Sequence, residues 1–361
     1  MRRSNVILAL ALTALAVTFF TAAANAYVPR YSPSEIAVDN DGNVYTIMNM
    51  DSSTGEGIFS YATNGTEIYS VLRPRCSDIA IDDHGIVYVL NIAKKQVERM
   101  EKNGTFSVLW REDNPDHFIN YFTTDHYDNI LVSDFNYSQA EIKVTDGYIM
   151  KISPQGRVTD VIEGSPAVPL NKTFKMTVGV NGTIYLTELN RSIMAIYPDG
   201  NRSTITCTSP DNDSFGQMID VEAGDDGYLY VGEMSEGRVR KLTTDGTQVA
   251  RWDGCGPERF NTPVSIVPCR DGRVYVSDTL NQRIVWFDSN RYSFGSDTTA
   301  NLAGKGVLWD NIIAGDNYTV AHKDGLYGGG ALQGTPGFGL AIVLAGLFIA
   351  GAVLCSRRVR K

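Results

Sequence analysis

Four carboxylates recur at one interval along the middle of the chain. Asp134, Glu188, Glu233 and Asp278 each stand six residues beyond a turn residue, namely Asp128, Gly182, Gly227 and Gly272. The same offset from Gly42 and Gly85 gives Met48 and Asn91. Carboxylates gathered from four repeats are hard oxygen donors, suited to Ca²⁺ or to a cationic ligand. A plainer role competes with this: each acid orders its own repeat by pairing with a base five positions on. Glu233 has Arg238 and Asp278 has Arg283 at that offset, whereas Asp134 and Glu188 have no base there, which makes them the better ligand candidates. The four histidines, His84, His117, His126 and His322, carry no His-x-Glu or Glu-x-x-His spacing. Only His117 and His126 are expected to share a loop region, and no three ligands for a catalytic zinc are nominated. The chain has no Gly-x-Ser-x-Gly elbow and no phosphate-cradling glycine loop. No motif supports catalysis, and calcium is the one cofactor the acids suggest.

The elements that must position these acids are repeats. Ser34–Tyr45 is echoed by Ser77–Tyr88 and Val264–Tyr275, each an alternating run, a turn, and the start of a second run. The turn markers Gly42, Gly85, Asp128, Gly182, Gly227 and Gly272 lie 43, 43, 54, 45 and 45 residues apart. A second series runs out of phase: Asn64-Gly65, Asn103-Gly104, Gln155-Gly156, Asp199-Gly200, Asp245-Gly246 and Ser289-Asn290. Asp-Gly and Asn-Gly tolerate the positive φ that tight hairpins need. Two hairpins in about 45 residues make one four-stranded antiparallel sheet, and six sheets at this period predict a six-bladed β-propeller of all-β class. The outer strand of blade six is expected from residues 291–296 or from 27–31. Tyr45, Tyr88, Tyr185, Tyr230 and Tyr275 recur at one position, which reads as blade packing and not as a base-stacking platform.

The unit resembles the NHL repeat: an inner strand, Asp-x-Asp-Gly, a second strand ending in Asp, then a third strand led by a base. The fullest match contains Val274-Tyr275-Val276-Ser277-Asp278-Thr279-Leu280-Asn281-Gln282-Arg283-Ile284. The resemblance implies the propeller fold. It leaves function open among scaffolds, ligand binders, lyases and lactonases.

Both ends read as address labels. Residues 1–26 hold Arg2 and Arg3, an apolar run and Ala24-Asn25-Ala26, the parts of a secretory signal peptide. Residues 337–355 are uncharged; at ~1.5 Å per residue they span roughly 28 Å, enough for a transmembrane helix. The basic residues Arg357, Arg358, Arg360 and Lys361 would keep the tail in the cytoplasm and leave the body outside. Pro336-Gly337-Phe338, the apolar helix and the basic end resemble the PGF-CTERM sorting signal of archaeal surface proteins, which implies a sortase-like processing enzyme and a lipid anchor. The expected division is 1–26 signal, 27–300 propeller, 301–335 flexible tether and 336–361 anchor. The net charge of −9 conceals a body of 26 basic and 41 acidic residues once the six terminal cations are set aside, which argues against nucleic acid. Asn-x-Ser/Thr sequons at Asn64, Asn103, Asn136, Asn171, Asn181, Asn190, Asn201, Asn212 and Asn317 fit a glycosylated exterior body. Of the five cysteines, Cys255 and Cys269 bracket one inner strand, about 20 Å of chain, so Cys207–Cys255 is the preferred bridge, with Cys76 a competitor.

These observations together predict a surface-anchored propeller that binds or scaffolds a protein or glycan outside the cell. Its contact face would carry the longer loops 110–120, 135–147, 164–173 and 208–217. Two alternatives stand beside it: an extracellular metal-dependent lyase or lactonase using the four acids over the channel, and a passive surface-layer component.

Overall fold

The computed structural model describes residues 32–289 except 50–55, 64, 73–74, 102–103, 139–142, 165–169, 171–172, 189–190, 211 and 256–257, together with Gly306–Val307. The signal segment, the Pro336-Gly337-Phe338 tail and Asn64, Asn103, Asn171, Asn190 and Asn317 lie outside these residues. Among the described residues no helix is long and apolar enough to cross a membrane.

Six four-stranded antiparallel sheets follow one another along the chain, each running in order from an inner to an outer strand. Blades 1 to 5 occupy 32–72, 76–111, 117–163, 173–205 and 218–252, and blade 6 joins 263–288 to Gly306–Val307. The inner strands are Ser32–Val38, Cys76–Ile81, His117–Thr124, Thr173–Val178, Met218–Ala223 and Pro263–Pro268. Each packs on the next, and the sixth packs on the first. The ring is therefore closed by side-chain contact: Ser277 Oγ donates to the Pro33 carbonyl at 2.9 Å, and Ile36 N–H donates to Ser265 Oγ at 3.3 Å.

Burial explains the strand order. The second strand Val87–Asn91 is buried throughout, whereas the outer strand Val158–Glu163 is almost wholly exposed. A strand covered on both faces needs a continuous apolar run, and an outer strand does not. The apolar clusters lie between blades, as where Trp252 of blade 5 meets Phe287 of blade 6 with ring centroids 4.4 Å apart. This explains why a single sheet could not stand alone and a ring can. The fourth strand of blade 6 among the described residues is Gly306–Val307, paired with Trp286 and Val285, while the expected segments 291–296 and 27–31 lie outside the described residues. A strand of two residues carries no periodicity by which sequence could locate it.

The first turn of five blades is held by its own acid, and that of blade 4 by Asn181, whose Oδ1 accepts from Thr183 N–H at 3.0 Å. In blade 2, Asp82 Oδ1 accepts from His84 N–H and Ile86 N–H, and Gly85 sits at φ 77°. Blade 3 has Asp128 at the glycine position, in the same left-handed conformation at φ 59°. Asx residues tolerate that region better than most, so the turn survives the change.

Candidate functional site

A bulge interrupts the pairing of inner and second strand in every blade. Bulges re-aim side chains, and here they turn one register position toward the axis. Counted seven residues before each turn marker, that position is Glu35, Asp78, Tyr121, Lys175, Asp220 and Ser265. Lys175 spans the channel: its Nζ lies 2.7 Å from Glu35 Oε2 of the opposite blade 1 and 2.9 Å from Asp78 Oδ1 of blade 2. Asp78 Oδ2 and Asp220 Oδ2 also accept from the next blade, at Phe122 N–H (3.3 Å) and Ile266 N–H (2.7 Å).

One ammonium cannot neutralise all these acids. Burial pushes Glu35 up to about 8 and Asp220 up to about 6, with Lys175 the largest opposing influence on each. Glu222, hydrogen-bonded to Thr177, is likewise raised by burial and by Asp220. Burial pulls the Lys175 ammonium down, but Asp78, Glu35 and Asp220 more than offset this and hold it charged. A lysine held protonated is a structural counter-ion and not a nucleophile.

The turn-bearing mouth of the channel is bridged as well. Arg270 of blade 6 reaches Asp225 of blade 5 at 2.5 Å and Asp83 of blade 2 at 2.9 Å. His126 of blade 3 lies 3.6 Å from Asp83 and 3.9 Å from Asp225.

Three of the four in-register acids, Glu188, Glu233 and Asp278, end their second strands, and Asp134 lies inside the longer strand Ile130–Ser138. Glu233 is fully buried; its carboxylate accepts from Gly216 N–H, from Arg238 Nε, and from Arg240 Nε at 2.7 Å. Asp278, also fully buried, accepts from Asn261 N–H at 2.6 Å, Arg283 Nε at 2.6 Å and Asn281 Nδ2 at 2.8 Å. Glu188 accepts from Ser192 Oγ at 2.7 Å. Each of these three acids is engaged by its own blade or by the loop leading into it.

Asp134 is the exception. Directly across the ladder from Glu233 and Asp278 stand Arg238 and Arg283, but across from Asp134 stands Tyr148. Asp134 is fully buried without an arginine. Its Oδ2 lies 2.9 Å from His117 Nδ1, and its buried Oδ1 has no hydrogen-bond partner among the described residues. Glu112 is close by, with Oε2 3.9 Å from His117 Nδ1. One donor atom each from Glu112, His117 and Asp134 lies within 4.8 Å of the others. Burial pushes Asp134 up to about 6 despite the pull of His117, and Glu112 adds to the rise.

The neighbourhood is braced. The His117 ring stacks on Tyr148 at 5.9 Å, nearly parallel. Lys95 Nζ donates to the carbonyls of Asn114 (2.9 Å) and Pro115 (3.0 Å), pinning the loop that carries Glu112. Asn114 N–H donates to Glu112 Oε1 at 2.7 Å.

Two expectations need correction. His117 opens the inner strand His117–Thr124 while His126 follows its far end, so roughly 25 Å of strand separates them and they share no loop. Cys207 is a free thiol, packed between blades 4 and 5 with its Sγ 3.5 Å from Arg240 Nη1, and so does not form the expected bridge to Cys255. Among the sequons, Asn181, Asn201 and Asn212 are exposed and Asn136 is half-buried.

No family model matches the sequence, and no curated protein matches it. Solved structures share the fold. A catalytically inactive virginiamycin B lyase from Staphylococcus aureus, solved with quinupristin, aligns at TM-score 0.51 and 17% identity over 76% of this chain and 86% of its own. A gluconolactonase from Xanthomonas campestris gives 0.52 and 11% over 72% and 86%. The calcium-binding protein regucalcin from Agrobacterium tumefaciens gives 0.51 and 13% over 69% and 82%. The chain thus has the six-bladed fold found in proteins of lyase and lactonase type, at identities that speak to fold alone.

Proposed function

We propose that this chain is an exported, surface-anchored propeller that binds a protein or glycan partner outside the cell through its loop-bearing face. The observation that carries this reading is the closure of the channel. Lys175 spans it at mid-depth, and Arg270 with His126 bridges its turn-bearing mouth. A partner therefore meets the loops around 110–120 and 208–217 before it meets the axis. The NHL-like repeats, the secretory leader, the PGF-type tail and the exposed sequons at Asn181, Asn201 and Asn212 agree with that address.

The test is site-specific photocrosslinking on intact cells expressing the full chain. A probe at Asp116, exposed beside Glu112, should capture a surface partner, and a probe at Val180, exposed on the turn-bearing face, should not. Equal capture at both positions, or a body inaccessible to protease on intact cells, would remove the proposal.

A further inference from the structure

We infer that Glu112, His117 and Asp134 form a binding site for one divalent transition metal ion, zinc or manganese, on the loop-bearing rim of blade 3. The reasoning begins with charge. In three blades the acid six residues beyond the first-turn marker is fully buried. Two of them have arginine across the ladder, and the third has Tyr148. Burying a carboxylate without a partner is costly enough that such groups are normally paired or metal-bound. Asp134 has instead one neutral-or-charged imidazole, one second carboxylate, and an Oδ1 that accepts nothing from the described residues. Two carboxylates share one imidazole here, and a metal cation set among the three would complete the charge.

The donor set decides which cation. An imidazole nitrogen with two carboxylate oxygens suits zinc or manganese, whereas Ca²⁺ takes six to eight oxygens and seldom imidazole. An organic ammonium would leave the His117 nitrogen without a use. Binding requires His117 Nδ1 to be free of its proton, so the metal replaces the hydrogen bond to Asp134 Oδ2 and releases that proton to solvent. The supports are already present: Tyr148 holds the ring by stacking and Lys95 fixes the Glu112 loop. Three protein ligands leave at least one coordination position for water or for a donor atom of the partner. The inference stands independently of whether the loop-bearing face recruits a partner.

The experiment uses the purified full chain, stripped with chelator and titrated with Zn²⁺ and with Mn²⁺ by calorimetry. The expected result is one equivalent bound and a raised melting temperature. His117→Gln and Glu112→Gln should each weaken binding by about tenfold or more, while Glu188→Gln leaves it unchanged. Because Gln at 117 alters the stack on Tyr148, Co²⁺ loading supplies a second measurement: visible d–d absorption in the wild type that changes form in Glu112→Gln. Absence of stoichiometric binding by the wild type, or equal affinity in all three variants, would overturn the assignment.

Discussion

Blades 3 and 5 bury the same carboxylate position and surround it in opposite ways. Around Glu233 the sequence supplies Arg238 and Arg240, which also engage Asp213, and the whole cluster is satisfied by protein groups. Around Asp134 it supplies His117, Tyr148 and Glu112, a set with more acceptors than donors. Blade 3 also carries its second strand past the acid, as Ile130–Ser138, whereas Leu229–Glu233 stops at Glu233, so strand length and side chains together change what reaches the carboxylate. Where arginine is present the acid is an internal strut. Where it is absent, the same strut position becomes a place where something else must bring the positive charge.

The largest expected effect breaks the satisfied side of this pair. Arg240 is fully buried and donates to Glu233, Gln248, Asp213 and the Ser214 carbonyl. Arg240→Met should destabilise the chain by about 3–5 kcal/mol, because it leaves Glu233 buried with half its counter-charge. Denaturant unfolding with an unchanged m-value would measure it. Asp134→Asn should instead be neutral or stabilising in chelated protein, so a loss as large as that of Arg240→Met would erase the contrast.

The channel extends the comparison to a third solution, in which protonation supplies what lysine does not. Glu35 faces Lys175, Asp78 and Asp220, with Glu222 beyond, and burial raises it from an ordinary 4.5 to about 8. Its folded pKa lies above its unfolded one. The stability it contributes is therefore complete below about 4.5 and is lost as pH rises through about 8. The melting temperature in chelator should fall between pH 5 and pH 8.5, and Glu35→Gln should flatten that slope. A melting temperature that rises over this range would show that the excess charge is neutralised in some other way.

A transplant then asks whether the blades are interchangeable. Tyr148→Arg places a guanidinium across from Asp134, as Arg283 stands across from Asp278. It should raise stability by about 1 kcal/mol in chelated protein and abolish zinc binding. Stability gained with binding retained would mean that the metal and Asp134 are unrelated.

Much of this was legible in the sequence, for physical reasons that differ from residue to residue. The paired turn series exposed six blades because Asp-Gly and Asn-Gly are local chemistry that repeats with the fold. Counting six forward from those turns found Asp134, Glu188, Glu233 and Asp278. Counting seven back would have found Glu35, Asp78, Tyr121, Lys175, Asp220 and Ser265, since the bulge repeats in every blade. That signal was present and lay at the other offset. Glu112 had no such signal: it sits in an irregular segment, and only the fold brings it to His117 and Asp134. The Gly306–Val307 strand was equally silent, because two residues on an outer edge have no pattern to repeat.

The smallest effect is expected at the turn-bearing mouth, and it separates geometric closure from energetic closure. Arg270 and His126 draw blades 2, 3, 5 and 6 together there, yet the Arg270 side chain is 58% exposed and its acid partners are partly solvated. Exposed pairs of this kind are screened and typically contribute less than about 1 kcal/mol. Arg270→Ala should therefore leave the unfolding midpoint nearly unchanged at physiological salt. If it costs as much as Arg240→Met, the mouth is a structural keystone, and the ring is held from its rim as well as from Lys175. If it costs almost nothing, the bridging residues serve to cover the channel, and the inter-blade apolar clusters, with the Lys175 ion pairs, hold the ring together.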